Sequence, residues 1–154
     1  MNHLFSIRAL ALSVTTLTIA GLCLTATAAP PVPFQGRADI VVTNVEDLSP
    51  TSQKLTGSAT GKATHLGRFT RTETITLDLN TFAFTGTLVF TAANGDQLSA
   101  DVSGQFTSPT TAVGTYSFTG GNGRFHNASG QAAFEVTAVG MGLFDATFKG
   151  TIQY

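Results

Sequence analysis

The side chains best placed for chemistry are His65, Arg71 and Glu73, which lie on two consecutive segments of alternating apolar and polar sequence. A carboxylate and an imidazole can exchange protons with a bound molecule, and a guanidinium can hold a ligand oxygen. If the apolar faces of both segments point inward, the three residues lie near the mouth of a cavity. We therefore predict that Arg71, Glu73 and His65 bind a ligand, with Glu73 and His65 as the candidates for catalytic proton transfer.

The same pattern has a second interpretation, in which phenylalanines from opposite strands fill the interior and Arg71 and Glu73 project into solvent beyond the rim. Small residues on the apolar face of the first segment favour open space instead; this face carries Leu55, Gly57, Ala59, Gly61, Ala63 and His65. A cavity of roughly several hundred Å³ would support ligand binding. A solidly packed interior would leave a role in surface interactions.

Other kinds of site find little support in the sequence. No two of the residues His65, His126, Asp96, Asp101 and Glu73 have the spacing of metal ligands on one element, so we expect no metal site and no cofactor. No Gly-x-Ser-x-Gly motif indicates a serine nucleophile. Asp96 and Asp101 stay open as a carboxylate pair for glycoside hydrolysis, although a turn accounts for Asp96.

The charge balance excludes nucleic acid as a partner, because 8 Lys+Arg face 9 Asp+Glu and leave no basic excess. Residues 1–28 have the pattern of a secretory signal peptide: one early cation, an apolar run, and small residues at Ala26 and Ala28. We expect a secreted or periplasmic protein that meets the membrane only through this cleaved segment. The single cysteine, Cys23, lies within it.

The remaining chain divides into a Pro-rich extended arm, residues 29–35, and one domain, residues 36–154. Period-two alternation broken by turn residues predicts strands in this domain. The predicted strands are Gly36–Val45, Lys54–His65, Phe69–Leu79, Phe82–Thr91, Leu98–Phe106, Val113–Thr119, Gln131–Val139 and Leu143–Tyr154. We predict an all-β fold, a single closed eight-stranded antiparallel barrel, because closure removes unpaired edges.

Phenylalanine-rich stripes on alternate positions predict the barrel core. The members of the two clearest stripes are Phe82, Phe84, Leu88 and Phe90, and Phe144, Ala146, Phe148, Gly150, Ile152 and Tyr154. The alternation also fits a small outer-membrane barrel in which these stripes face lipid. Two Tyr and no Trp provide few residues for the aromatic girdles of such a barrel.

The segment from Gly114 to Ala138 carries the pattern Gly-Gly-x-Gly-x-Phe-x-x-Ala-x-Gly. Its positions are Gly120, Gly121, Gly123, Phe125, Ala128 and Gly130. In this pattern the chain resembles dirigent proteins and allene oxide cyclases, and similar motifs occur in exported bacterial proteins of unassigned function. The resemblance implies an eight-stranded calycin-like barrel whose interior, in the plant members, steers cyclisation or radical coupling. Phe125 and Ala128, three residues apart, predict a short helical turn that plugs one barrel end.

From these observations we expect an exported, soluble barrel that binds a small lipophilic molecule or serves as an interaction module, without cofactor. An isomerase or cyclase of the allene oxide cyclase or dirigent type is the alternative, and an outer-membrane barrel is the second alternative. Binding is favoured over catalysis, and the sequence sets no oligomeric state.

Overall fold

A computed structural model describes residues 30–154, so the predicted signal peptide and Cys23 lie outside the described residues. Eight antiparallel strands each pair with their neighbours in the chain, and β1 also pairs with β8, which closes the barrel. The strands are β1 Val32–Ser49, β2 Ser52–Ala63, β3 Gly67–Asp78, β4 Ala83–Ala92, β5 Gln97–Ser108, β6 Thr111–Gly121, β7 Ser129–Gly140 and β8 Leu143–Gln153. The predicted fold class is confirmed.

Alternation places most of the large apolar residues of the strands inside the barrel. On β8, Ala146, Phe148 and Ile152 are buried, whereas Thr147 and Lys149 between them are exposed. Aromatic rings pack edge-to-face or stacked through the interior, with centroid distances between 4.4 and 6.4 Å. The rings that contribute to these pairs are those of Phe34, Phe69, Phe84, Phe90, Phe106, Phe118, Phe134, Phe148 and Tyr116.

The predicted Pro-rich arm is partly wrong, because β1 begins at Val32 and pairs with β8 from its first residue. The carbonyl oxygen of Pro33 faces away from β8 and accepts a hydrogen bond from the hydroxyl of Thr64, with an oxygen-to-oxygen distance of 3.2 Å. Since the amide and carbonyl of a strand residue point to the same side, the missing N–H of Pro33 also faces away from β8. No ladder bond is therefore lost, and Phe34 can enter the core, where it is fully buried.

Phe82 corrects the predicted core stripe on β4. Its backbone has φ of 57°, and its side chain is 53% exposed in the turn between β3 and β4. This turn is organised by Asp78, whose carboxylate accepts the amide N–H groups of Asn80 and Thr81 at 2.8 and 3.0 Å. The period-two pattern of the sequence continues through this turn, so the predicted strand includes Phe82, whereas β4 begins at Ala83.

The Gly-rich segment forms a short plug at one end of the barrel. A 3₁₀ turn over Gly123–Phe125 buries Phe125 completely, and Ala128 is buried behind it. Gly123 has φ of 57°, and a side chain there would collide with the carboxylate of Asp96. The turns β2–β3 and β4–β5 lie at this same end, which we call the sealed end.

Among residues 30–154, no helix is long and apolar enough to cross a bilayer.

Candidate functional site

A cavity of about 90 Å³ lies in the half of the barrel away from the sealed end. Its walls come from the last residues of the odd-numbered strands and the first residues of the even-numbered ones. The mouth is therefore framed by the turns β1–β2, β3–β4, β5–β6 and β7–β8. Apolar side chains dominate the lining, among them Ile40, Val42, Leu55, Ile75, Leu77, Phe84, Leu88, Val102, Phe106, Phe134, Val136 and Phe144.

The interior thus matches neither of the two sequence-based interpretations completely. Phenylalanines fill the half next to the sealed end, as expected for a packed core. The other half is hollow, but its volume is well below the several hundred Å³ of an ordinary ligand pocket. The cavity can take a narrow end of a molecule whose remainder lies in the mouth.

Three polar side chains meet at the floor of this cavity: Arg71 and Glu73 on β3, and Tyr116 on β6. The Arg71 guanidinium is 2% exposed. Its Nη2 forms an ion pair of 2.6 Å with Glu73 Oε2, and its Nη1 donates to the Tyr116 hydroxyl at 2.9 Å. The guanidinium carbon also lies 5.7 Å from the ring centroids of Phe90 and Tyr116, so aromatic faces contribute to holding the cation.

Two donors on the cavity floor have no acceptor within the described chain. Arg71 Nε is buried and makes no hydrogen bond. A guanidinium can only donate, so the Tyr116 hydroxyl oxygen accepts the hydrogen bond from Arg71 Nη1. The hydrogen of that hydroxyl has no acceptor among residues 30–154. A buried donor without an acceptor costs about 1–3 kcal/mol. The floor is therefore incomplete without a further oxygen atom from water or from a ligand.

The protonation states of this group are set by its mutual contacts. Burial alone would lower the pKa of the Arg71 guanidinium, but the charges and hydrogen bonds of Tyr116 and Glu73 raise it above its ordinary value. Burial raises the pKa of the Tyr116 hydroxyl, an effect that Arg71 partly offsets and Glu73 reinforces. At neutral pH the floor consequently holds a cationic guanidinium and a neutral phenol.

Of the sequence-predicted site residues, the structure brings Arg71 and Glu73 together and separates His65 from them. His65 has φ of 65° and lies in the β2–β3 turn at the sealed end. Its Nε2 is 3.0 Å from the carbonyl oxygen of Pro33, and its Nδ1 is 3.0 Å from the hydroxyl of Tyr154. These contacts tie Pro33 and Tyr154 to the β2–β3 turn, so the prediction that places His65 at the cavity mouth is wrong. Tyr154 is 38% exposed beyond the end of β8 and is not part of the predicted core stripe.

Arg71 and Glu73 point inward and do not project past the rim, since Glu73 is only 12% exposed. The sequence does not indicate Tyr116 as a site residue, because its position matches those of the other aromatic residues in the predicted core stripes. A usable signal existed: an inward-facing tyrosine hydroxyl needs a partner, and Arg71 and Glu73 are the charged residues on inward positions of the predicted strands.

The remaining candidate side chains lie apart from the cavity. Asp96 lies in the β4–β5 turn, where it contacts Asn94 of the same turn and Arg124 of the plug, and Asp101 is exposed on the outer face of β5. His126 lies beside the plug. Within residues 30–154, no three His, Cys, Asp or Glu side chains cluster as metal ligands.

The closed eight-stranded antiparallel barrel is a fold that solved structures share. The structure titled the pterocarpan synthase dirigent protein GePTS1 superposes with a TM-score of 0.62 at 15% sequence identity. The match covers 93% of this chain and 97% of that chain. No protein family model matches the sequence, and no curated protein matches it significantly. The likeness establishes the fold.

Proposed function

We propose that the protein is an exported, soluble barrel that binds a small, largely apolar molecule bearing one hydroxyl or carbonyl oxygen. The observation that carries this proposal is the incomplete floor of the cavity. Arg71 Nε and the Tyr116 hydroxyl are buried donors without acceptors, and both residues line an otherwise apolar space that opens to solvent.

The floor determines the ligand group that fits best. An oxygen at the deep end can accept the Tyr116 proton, the Arg71 Nε proton, or both. If that oxygen belongs to a hydroxyl group, the hydroxyl can donate a hydrogen bond to the second carboxylate oxygen of Glu73, since Oε2 is paired with Arg71. The aliphatic and aromatic wall above then covers an apolar body. A carboxylic acid fits less well, because Glu73 already neutralises the cation.

A cofactor-free isomerase or cyclase is the second candidate, and one observation favours it. Glu73 places a carboxylate with one unengaged oxygen inside an apolar cavity, where it can accept a proton from a bound molecule. The similarly folded protein described as a pterocarpan synthase supports this candidate by fold analogy alone. Glu73→Gln removes the charge of the carboxylate but keeps the shape of the side chain, and it therefore separates binding from catalysis.

The outer-membrane alternative finds no support in the arrangement of side chains. Such a barrel needs an apolar band on its outer surface and a polar interior. In β8 the outward residues Asp145, Thr147, Lys149 and Thr151 are polar and only Leu143 is apolar, whereas the phenylalanines point inward.

Native mass spectrometry of protein purified from its own host tests the binding proposal. We expect a mass increment from a co-purified lipophile that is reduced in Tyr116→Phe, which deletes one unpaired donor. Glu46→Gln, at an exposed ion pair, is the matched control and should keep the increment. If the wild-type mass is that of the polypeptide alone, and lipophilic extracts add nothing, the binding proposal is wrong and an interaction role replaces it.

Glu73→Gln separates the two candidates. For a binder, Glu73→Gln weakens retention of a hydroxyl ligand and no conversion is seen with either protein. For an isomerase, the wild type converts the extracted molecule to an isomer of equal mass, and Glu73→Gln retains the molecule unchanged. Chromatographic separation of the extracted and incubated ligand distinguishes the two results.

A further inference from the structure

Three basic side chains stand side by side on the outer wall of the barrel, far from the cavity floor. Arg37 on β1 lies opposite Lys62 on β2, and Lys62 lies opposite Arg68 on β3. All three side chains are exposed. Because neighbouring strands are about 4.8 Å apart, the cations form a row with a spacing of about 5 Å. We call these three residues the basic row.

No member of the basic row forms an ion pair within residues 30–154, although the exposed Asp39 lies two residues from Arg37 on the same face of β1. The ion pairs among residues 30–154 join Lys54 to Glu46, Arg71 to Glu73 and Arg124 to Asp96, and none includes a member of the row. Like charges directly opposite each other on adjacent strands destabilise a sheet. The row therefore works against folding, and an anion bound across it would remove the repulsion.

A shallow groove of about 590 Å³ borders the row on the outer face of the barrel. Besides the basic row, its lining includes one carboxylate, that of Asp39, and the hydroxyl groups and small residues of Thr60, Gly61, Thr70, Thr91 and Ala93. None of the exposed large apolar side chains of the described chain lies in this groove. This surface therefore offers no large apolar side chain for insertion into a bilayer, and its hydroxyl groups can bond to a hydroxylated polymer.

We propose that the groove and the basic row bind an acidic polysaccharide. Carboxylate or sulfate groups would pair with Arg37, Lys62 and Arg68, and sugar hydroxyls would bond to the threonine hydroxyls of the groove. The spacing of the cations is comparable to the length of one sugar ring, so successive charged sugars can meet successive strands. The inference is independent of the proposed cavity ligand, since no residue of the basic row lines the cavity.

Affinity electrophoresis of the soluble barrel domain in gels containing a defined polymer tests the proposal. The probes are polygalacturonate, which carries carboxylates, dextran sulfate, which carries sulfates, and neutral dextran. We expect retardation by at least one anionic polymer and none by dextran, and the preferred polymer identifies the anionic group. Added salt should release the protein, because the contact is between exposed charges.

Lys62→Glu is the decisive variant, because Lys62 is the central member of the row. Binding should weaken about tenfold or more, as expected when a charged hydrogen-bonding partner is lost and repulsion is added. Lys54→Glu changes the net charge equally but lies outside the groove, and it should bind like the wild type. Equal loss in both variants would reduce the effect to net charge and overturn the proposal.

Two further results would also overturn it. Failure of both anionic polymers to retard the wild type at low salt is one. Binding to phosphatidylglycerol vesicles without binding to either polymer is the other, and it would assign the row to a membrane surface. Lys62→Thr adds a readout free of ligand: its melting temperature should rise, because the repulsion is relieved. A fall would show that Lys62 serves the fold.

Discussion

Replacing Glu73 by leucine removes the carboxylate that compensates the buried Arg71 guanidinium. The guanidinium is 2% exposed, already has an unbonded Nε, and would keep only its hydrogen bond to Tyr116. Breaking a buried pair in this way costs about 3–5 kcal/mol, because the remaining charge is left without a counter-charge. We therefore expect the free energy of unfolding of Glu73→Leu to fall by about that amount.

The opposite single change should cost less. In Arg71→Met the surviving carboxylate lies on the wall of an open cavity and is 12% exposed, so water can reach it. The double variant Arg71→Met with Glu73→Leu replaces both charges by apolar groups of similar volume. Such replacements are often neutral, or stabilising by about 1–4 kcal/mol. The expected order of stability is double variant, wild type, Arg71→Met and Glu73→Leu.

Urea denaturation at neutral pH measures all four free energies of unfolding, and the exposed pair of Lys54 and Glu46 is the control. Breaking that pair should change stability by less than about 1 kcal/mol. The reasoning is refuted if the double variant is as unstable as Glu73→Leu, because the loss would then come from packing. If the expected order holds, the pair does not serve stability, which is the result expected if it serves the proposed ligand.

Three further outcomes follow from the turns and the cavity floor. Gly123→Ala should be more destabilising than Gly67→Ala, because both have positive φ but only the former meets a side chain, that of Asp96. Tyr116→Phe should lower stability at pH 7 by about 1–3 kcal/mol, since a buried guanidinium N–H loses its acceptor. Burial raises the pKa of Tyr116, so the wild type keeps its full advantage over Tyr116→Phe below about pH 10 and loses stability relative to that variant as the pH rises through the raised value, because the buried phenol must then ionise. Amide hydrogen bonds from Thr81 and Asn80 lower the pKa of Asp78, so the destabilisation caused by Asp78→Ala should be present above about pH 4 and vanish as the pH falls through the lowered value.

Urea titrations at several pH values check these outcomes. Asp101→Ala, which removes an exposed carboxylate within β5 and outside any turn, is the reference with which the stability of Asp78→Ala is compared at each pH. Equal melting temperatures for Gly123→Ala and Gly67→Ala would contradict the collision at the plug. A destabilisation by Tyr116→Phe that stays constant up to pH 11 would mean that the phenol titrates normally.

The sequence predicts the barrel well because its information is periodic. Alternation gives the inward face of every strand, and the eight predicted strands agree with the structure to within a few residues at most ends. Alternation does not show where the chain leaves a strand and enters a turn. His65 and Phe82 continue the pattern in sequence, yet both adopt positive φ in turns. Pro33 breaks the pattern in sequence, yet its position lets it remain in β1.

The site was predictable in part for the same reason. Arg71 and Glu73 share a strand, so their common direction follows from their spacing. Tyr116 comes from a strand 45 residues away, and its contact with Arg71 depends on the stagger of the closed barrel. Cavity volume depends on the fit of phenylalanine rings against one another, which composition alone does not specify.

The pairing of β1 with β8 has a consequence for the topology of the chain. Val32 lies opposite Ile152, so the two ends of the barrel sequence are neighbours at the sealed end. Topologically the domain is a ring of eight hairpin-linked strands that is cut at one point. The cut could be moved to the turn at Asn94 and Gly95 without removing any strand pair, provided a short linker joins the present ends. In such a circular permutant the closing contact becomes local, and a fusion partner at either new end stays away from the mouth.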